Sequence, residues 1–384
     1  MLIINAKVYT LEQEIIENGF IKIHDNLIEQ VGDMTDVPSY EGEIFDATGK
    51  VICPGFIDVH THLGIVEDSL SFEGDDVNED TDPITPELRA IDGINPFDRA
   101  FSETLKSGVT TVLVSAGSAN PIAGQMALLK TDGVCVDEMI LDEYIAMKFA
   151  LGENPKSVYN SKNQAPVTRM ATAALIRENL FKTKEYLLNK EKSLHEDEDM
   201  PDFEMKYEAL IPVLQGKVPA HFHAHRADDI FTAIRICKEF DIKLVLVHAT
   251  DGYLIADKIK QYPMIIGPIM TDRSKPELSN LNIKAPKILA DNDVLFSIST
   301  DHPETPLKFL TLCAAIAVKE GLSEIQALEC ITINPAKIVG FDDKIGSIKV
   351  GKHADLAILS GNPLEYTTKV EFTMINGVLK PCEK

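Results

Sequence analysis

Apolar positions along this chain follow two different rhythms. At both ends the runs are short and broken by turn residues: LIINAKVYT (2–10), GFIKIHDNLIEQVG (19–32) and EIFDATGKVICPGF (43–56) near the start, GSIKVGKHADLAILSG (346–361) and VEFTMINGVLK (370–380) near the finish. Their Ile and Val content and bounding Gly, Asn and Asp predict strands, with Asn376-Gly377 as a hairpin turn. In the middle, apolar runs alternate with helical spacing. Strands are predicted near 56–62, 109–115, 126–131, 143–149, 217–224, 243–248, 264–269 and 294–300. The runs 106–117 and 242–250 are almost continuously apolar, as strands buried on both faces are. Residues 228–240 instead put Ile230, Ala233, Ile234, Cys237 and Phe240 on one helical face behind Asp228 as N-cap.

Eight strands alternating with helices predict an α/β fold: a closed (β/α)8 TIM-like barrel with a small β-sandwich built from both termini. The expected division is 1–53 and 346–384 for the sandwich and 54–345 for the barrel. The excursion 155–216, with a helical stretch at 168–192 and the acidic run HEDEDMPD (195–202), is expected as an extended outer helix, a lid being the alternative. The acidic loop 71–87 follows the first barrel strand and should lie at the catalytic face.

Composition narrows the function. The 384 residues carry 37 Lys+Arg against 60 Asp+Glu, a net charge of −23. That argues against gripping nucleic acid or an anionic membrane. No apolar run is long enough to span a bilayer, and the N-terminus lacks the pattern of a secretory signal. The six cysteines are scattered without a CxxC pair, which fits reduced thiols and a cytoplasmic location.

The histidines carry the candidate chemistry. His60 and His62 stand one residue apart at the end of VICPGFIDV, so on a strand both imidazoles point to one side at the barrel mouth. His221, His223 and His225 share one parity in VPAHFHAHR, His248 ends KLVLVHA, and Asp301 follows VLFSIS with His302 beside it. A histidine closing a strand can simply hydrogen-bond a loop. Three strands ending in His and one in Asp on a single rim, however, form a nitrogen and carboxylate set suited to Zn²⁺ or a similar divalent ion. Arg226, Arg273 and Lys275 are candidates for gripping a substrate carboxylate, with surface exposure as the competing reading.

Taken together, PGFIDVHTH (54–62), HAHRADD (223–229), His248, STDHP (299–303) and the tail TINPAKIVGFDDKIGSIKVGKHADLAIL (332–359) resemble the amidohydrolase superfamily, specifically members related to imidazolonepropionase and prolidase-like enzymes. The resemblance implies one or two divalent ions, zinc foremost, and a metal-bound hydroxide that hydrolyses a C–N bond of an amide, dipeptide or cyclic amide. It implies His60, His62, His223, His248 and Asp301 as ligands, with His225 as the other choice on the fifth strand. Lys148, in YIAMKFALGENP, resembles the lysine that CO₂ carboxylates to bridge two ions; Glu153 is the fallback carboxylate. Asp301 and His248 are expected to be catalytic, and His225, Arg226, Arg273 and His302 to contact substrate. A ring deaminase on the same site and a non-catalytic assembly protein of this fold are the alternatives. The expected partner is a small-molecule substrate; a homo-oligomer is left open.

Overall fold

The computed structural model describes residues 1–12, 14–195 and 199–382, so 196–198 of the acidic run lie outside the described residues. All eight central strands form, as Phe56–Thr61, Val109–Val114, Ile122–Lys130, Ile140–Ala150, Ala220–Ala224, Leu244–His248, Met264–Ile266 and Phe296–Ile298. They pair in sequence order to make a nearly closed barrel sheet. Alternate residues divide between two buried clusters. One holds Ile57, Leu113, Met126, Ala146 and Val247; the other holds Phe56, Val112, Met147, Phe149 and Phe222, together with the apolar faces of the helices.

The strict strand–helix alternation fails at the third strand. Ile122–Lys130 runs antiparallel to both of its neighbours. The cause is the connection: a parallel return needs a crossover of about a dozen residues or more, and 115–121 is too short to supply one. This part of the barrel is therefore a meander.

Between the first and eighth strands, single contacts take the place of a ladder. Thr300 donates its N–H and its hydroxyl to Asp58 Oδ2 at 2.8 and 2.7 Å. Ser299 Oγ donates to the His60 carbonyl at 2.7 Å, and His62 N donates to the His302 carbonyl at 2.9 Å. These bonds hold the ends carrying His60, His62 and Asp301 side by side.

The helix Ala227–Phe240 follows the fifth strand and buries Ile230, Ala233, Ile234, Cys237 and Phe240, the expected face. Each large apolar side chain on it contributes about 1.5–3 kcal/mol by burial. Its N-cap is Arg226 and not Asp228, which sits in the first turn. The long helix Arg169–His195 packs along the outside, with Phe181 edge-on to Phe240 at 4.7 Å and Arg177 paired with Glu239 at 2.6 Å. It is an outer helix, as expected.

Strands from both termini join one hydrogen-bonded sheet. Leu356–Leu359 lies antiparallel to Val51–Pro54, with Ile358 opposite Ile52. Ile3, Ile21, Ile52, Leu356, Ile358 and Met374 form its core. The predicted hairpin turn is present: Asn376 and Gly377 both adopt positive φ between Val370–Ile375 and Val378–Pro381. A buried pair, Lys130 with Asp355, ties this sheet to the barrel. No helix among the described residues is long and apolar enough to cross a membrane.

Candidate metal centre and active site

The strand ends deliver two groups of donor atoms to one side of the barrel. His60, His62 and Asp301 form the first; His223, His225 and His248 form the second, the donor atoms within each lying within 4.8 Å of one another. The His60 ring stands edge-on to that of His248, with centroids 5.0 Å apart, so the groups adjoin. His248 and Asp301 both adopt left-handed backbone, with φ of 67° and 53°. Non-glycine residues seldom take that conformation, and it costs of order 1 kcal/mol or more each. It is what swings these side chains in from the strand ends.

The imidazoles are oriented by their other nitrogens. His62 Nδ1 lies 2.6 Å from the Ser115 carbonyl and His248 Nδ1 lies 2.7 Å from the Gly267 carbonyl. A carbonyl only accepts, so both Nδ1 atoms carry the proton and both Nε2 atoms present a lone pair. His223 Nδ1 meets Ser118 Oγ at 2.9 Å and His225 Nδ1 meets Thr250 Oγ1 at 2.7 Å.

Electrostatics favour cation binding. Burial drives the imidazoles of His60, His223 and His225 well below the ordinary range and brings His248 down to about 4. Neutral imidazoles need not shed a proton before binding a metal. Burial opposes ionisation of Asp301, yet His248, His60 and His62 hold its carboxyl well below the usual range. Asp301 Oδ1 is buried without a hydrogen-bond donor, 3.3 Å from His60 Nε2 and 3.4 Å from His62 Nε2. A buried carboxylate left in this state is costly, and a divalent ion shared with the two imidazoles would satisfy it. The residues fit such an ion.

Lys148 projects from the fourth strand beside His60, with Nζ 3.4 Å from Nε2, and is fully buried. Burial, helped by the positive charge of Lys275, brings its ammonium down to about 7. His221, the partner of Lys148 in the strand register, lies deeper, with neither ring nitrogen hydrogen-bonded, and is brought down to about 3 by burial.

A cavity of about 410 Å³ opens onto the donors and is lined by His62, His223, His225, His248 and Asp301, with Lys275 and Asn154 on its wall. Asp75, Val77 and Asn78 also line it, so the loop 71–87 does reach this face.

Three expected substrate contacts are not brought to the cavity. Arg226 is exposed and paired with Asp228, because a helix N-cap position points it to solvent. Arg273 donates to the Leu281 carbonyl and so braces its own loop. His302 is buried behind the seam, where its Nδ1 accepts from Leu307 N at 3.3 Å. His225, expected beside substrate or as the other ligand of the fifth strand, stands within the second donor group together with His223.

Glu277 was not anticipated from the sequence. It is 1% exposed, and its Oε1 lies 3.6 Å from His225 Nε2, 3.9 Å from His223 Nε2 and 2.9 Å from Lys275 Nζ. The only sequence signal was its place two residues after Lys275. Glu153, the fallback carboxylate, instead brackets Glu277: its N–H donates to Glu277 Oε2 at 2.9 Å and its Oε2 accepts from Glu277 N at 3.3 Å.

Comparison with known proteins agrees with this geometry. Residues 215–380 match the amidohydrolase family. A solved amidohydrolase from Thermotoga maritima superposes with a TM-score of 0.96 at 40% identity, covering 98% of each chain. Amidohydrolase tasK of Hapsidospora irregularis is 29% identical over 91% of this chain, which spans only 38% of that relative's length. Imidazolonepropionase of Porphyromonas gingivalis is 27% identical, covering 88% of this chain and 82% of its own. The chain belongs to the amidohydrolase family, a family of hydrolases acting on carbon–nitrogen bonds.

Proposed function

We propose that this chain is a metal-dependent amidohydrolase that cleaves a C–N bond (an amide, a dipeptide or a cyclic amide) in a small substrate. The observation that carries this reading is the convergence of two donor groups, His60/His62/Asp301 and His223/His225/His248, on one cavity. In this reading zinc is the metal, the barrel spans 54–345, and 1–53 with 346–384 form the flanking sandwich domain.

A divalent ion at such a site lowers the pKa of bound water toward about 7 and polarises a carbonyl oxygen. The protein's own groups do the rest. Asp301, ionised and facing the cavity, accepts the proton of the attacking water and returns it to the leaving nitrogen. His248, its Nδ1–H tied to Gly267, keeps one orientation through turnover. Lys275, on the cavity wall, is placed to attract an anionic end of the substrate.

As a carbamate, Lys148 would supply an anionic oxygen ligand to the metal centre in this reading. A near-neutral amine is the form that adds CO₂, and a buried carbamate anion beside His60 suits two cations better than an ammonium does. Incubation with ¹³C-bicarbonate should give a carbamate resonance in the wild type that Lys148→Arg lacks. No resonance in an active, metal-loaded enzyme would leave Lys148 unmodified.

The overall reading is tested by assaying zinc-loaded protein on dipeptides, N-acyl amino acids and cyclic amides. Turnover should vanish on chelation and return with Zn²⁺. Undiminished turnover by fully demetallated protein would refute it.

A further inference from the structure

We infer that Glu277 is a ligand of the ion held by the second donor group, so that this site is His223, His225, His248 and Glu277. The inference rests on the metal-site reading above and adds a residue to it.

Distances make the first case. Two atoms each bonded at about 2.1 Å to one tetrahedral ion stand about 3.4 Å apart. Asp301 Oδ1 shows that spacing to His60 and His62, at 3.3 and 3.4 Å. Glu277 Oε1 nearly repeats it to His225 and His223, at 3.6 and 3.9 Å. Each group thus has one carboxylate oxygen facing the Nε2 atoms of two histidines.

Preorganisation makes the second. Glu277 Oε2 is occupied by the Glu153 N–H, which leaves Oε1 aimed at the imidazoles. That oxygen is buried and accepts no hydrogen bond of good geometry. The backbone makes room for this placement. Gly152 has φ of 90°, and a Cβ there would come within 2.8 Å of Glu277 Oε2.

The third observation is the neighbour that Glu277 has. Lys275 Nζ lies 2.9 Å from Glu277 Oε1 and 2.9 Å from Asn154 Oδ1, while Asn154 Nδ2 is 3.4 Å from His223 Nε2. An ammonium therefore sits against the donor set, where it competes with a metal for the same oxygen. Its side chain is 29% exposed, so it can swing into the cavity when an ion takes Oε1. Metal binding and release of Lys275 toward an anionic substrate are then one event.

The test compares full-length wild type, Glu277→Gln, Glu277→Asp and Lys275→Met after loading with Co²⁺ and removal of excess. Wild type should hold about two ions per chain. Glu277→Gln should lose about one, with a matching fall in the visible Co²⁺ absorption, while the ion at His60/His62/Asp301 stays. Glu277→Asp keeps the charge but draws it back, so the second ion should bind at least threefold more weakly in chelator competition. Lys275→Met should bind it at least threefold more tightly. The last two variants carry the test if melting curves show that Glu277→Gln does not fold. Wild-type stoichiometry and spectrum in Glu277→Gln, or unchanged affinity in both other variants, would overturn the inference and leave the metal-dependent reading intact. A wild type that binds no ion would overturn both.

Discussion

Asp58 and Thr300 close the seam of the barrel: one carboxylate oxygen accepts both the backbone N–H and the hydroxyl of Thr300, at 2.8 and 2.7 Å. Asp58 lies two residues before His60, and Thr300 immediately precedes Asp301. The bond therefore sets the spacing of the first donor group, although neither residue belongs to it.

From this follows the first prediction. Asp58→Ala removes both bonds from Thr300 and the one Asp58 Oδ1 accepts from His60 N at 3.1 Å, and it leaves the Thr300 N–H buried without a partner, which should cost about 2–4 kcal/mol. Urea unfolding should show the loss, and metal affinity should fall with it. A change under about 0.5 kcal/mol, judged against the usual scatter of surface substitutions, would mean that the seam is held elsewhere.

The buried histidines predict a pH dependence. Burial brings His302 from its ordinary 6.5 to about 4, and His248 likewise. Between those values the unfolded chain binds protons that the folded chain does not, so stability is retained above about 6.5 and lost as pH falls. Each such histidine contributes a slope of about 1.4 kcal/mol per pH unit. Chelator-treated protein should melt at progressively lower temperature from pH 7 to pH 5. His302→Asn, which keeps an acceptor for Leu307 N, should flatten part of that slope. An identical slope would show that His302 titrates normally.

Asp301→Asn keeps the size and one coordinating oxygen but cannot take up and return a proton. Its kcat should fall by about 10²–10⁴-fold, and further if the nucleophile loses its orientation. The fold and much of the metal should remain, as melting temperature and metal analysis would show. A folded, metal-loaded variant within about threefold of wild type would move proton transfer to another group.

How much of this was legible in the sequence differs by element. The eight barrel strands could be read because strands buried on both faces leave near-continuous apolar runs. The direction of Ile122–Lys130 was not read, since apolar patterning has no sense of direction; the short link 115–121 was the available clue. His60 and His62 were legible because alternation on one strand fixes which side they share. His225 was harder to place, lying past the end of Ala220–Ala224, where strand parity no longer governs. Arg226 and Arg273 were named for their chemistry alone, and local pairing turned both away. Glu277 stayed hidden because nothing in TDRSKPEL shows that the loop folds back against Glu153.

The central claim is that strand-end histidines and Asp301 hold a divalent ion. Elemental analysis of protein purified from Zn²⁺-supplemented culture tests it most directly, with His60→Ala and His62→Ala measured beside the wild type. The account predicts at least about one ion per chain in the wild type, approaching two, and a clear loss in each variant. Far less than one ion in the wild type, or full occupancy in both variants, would contradict it.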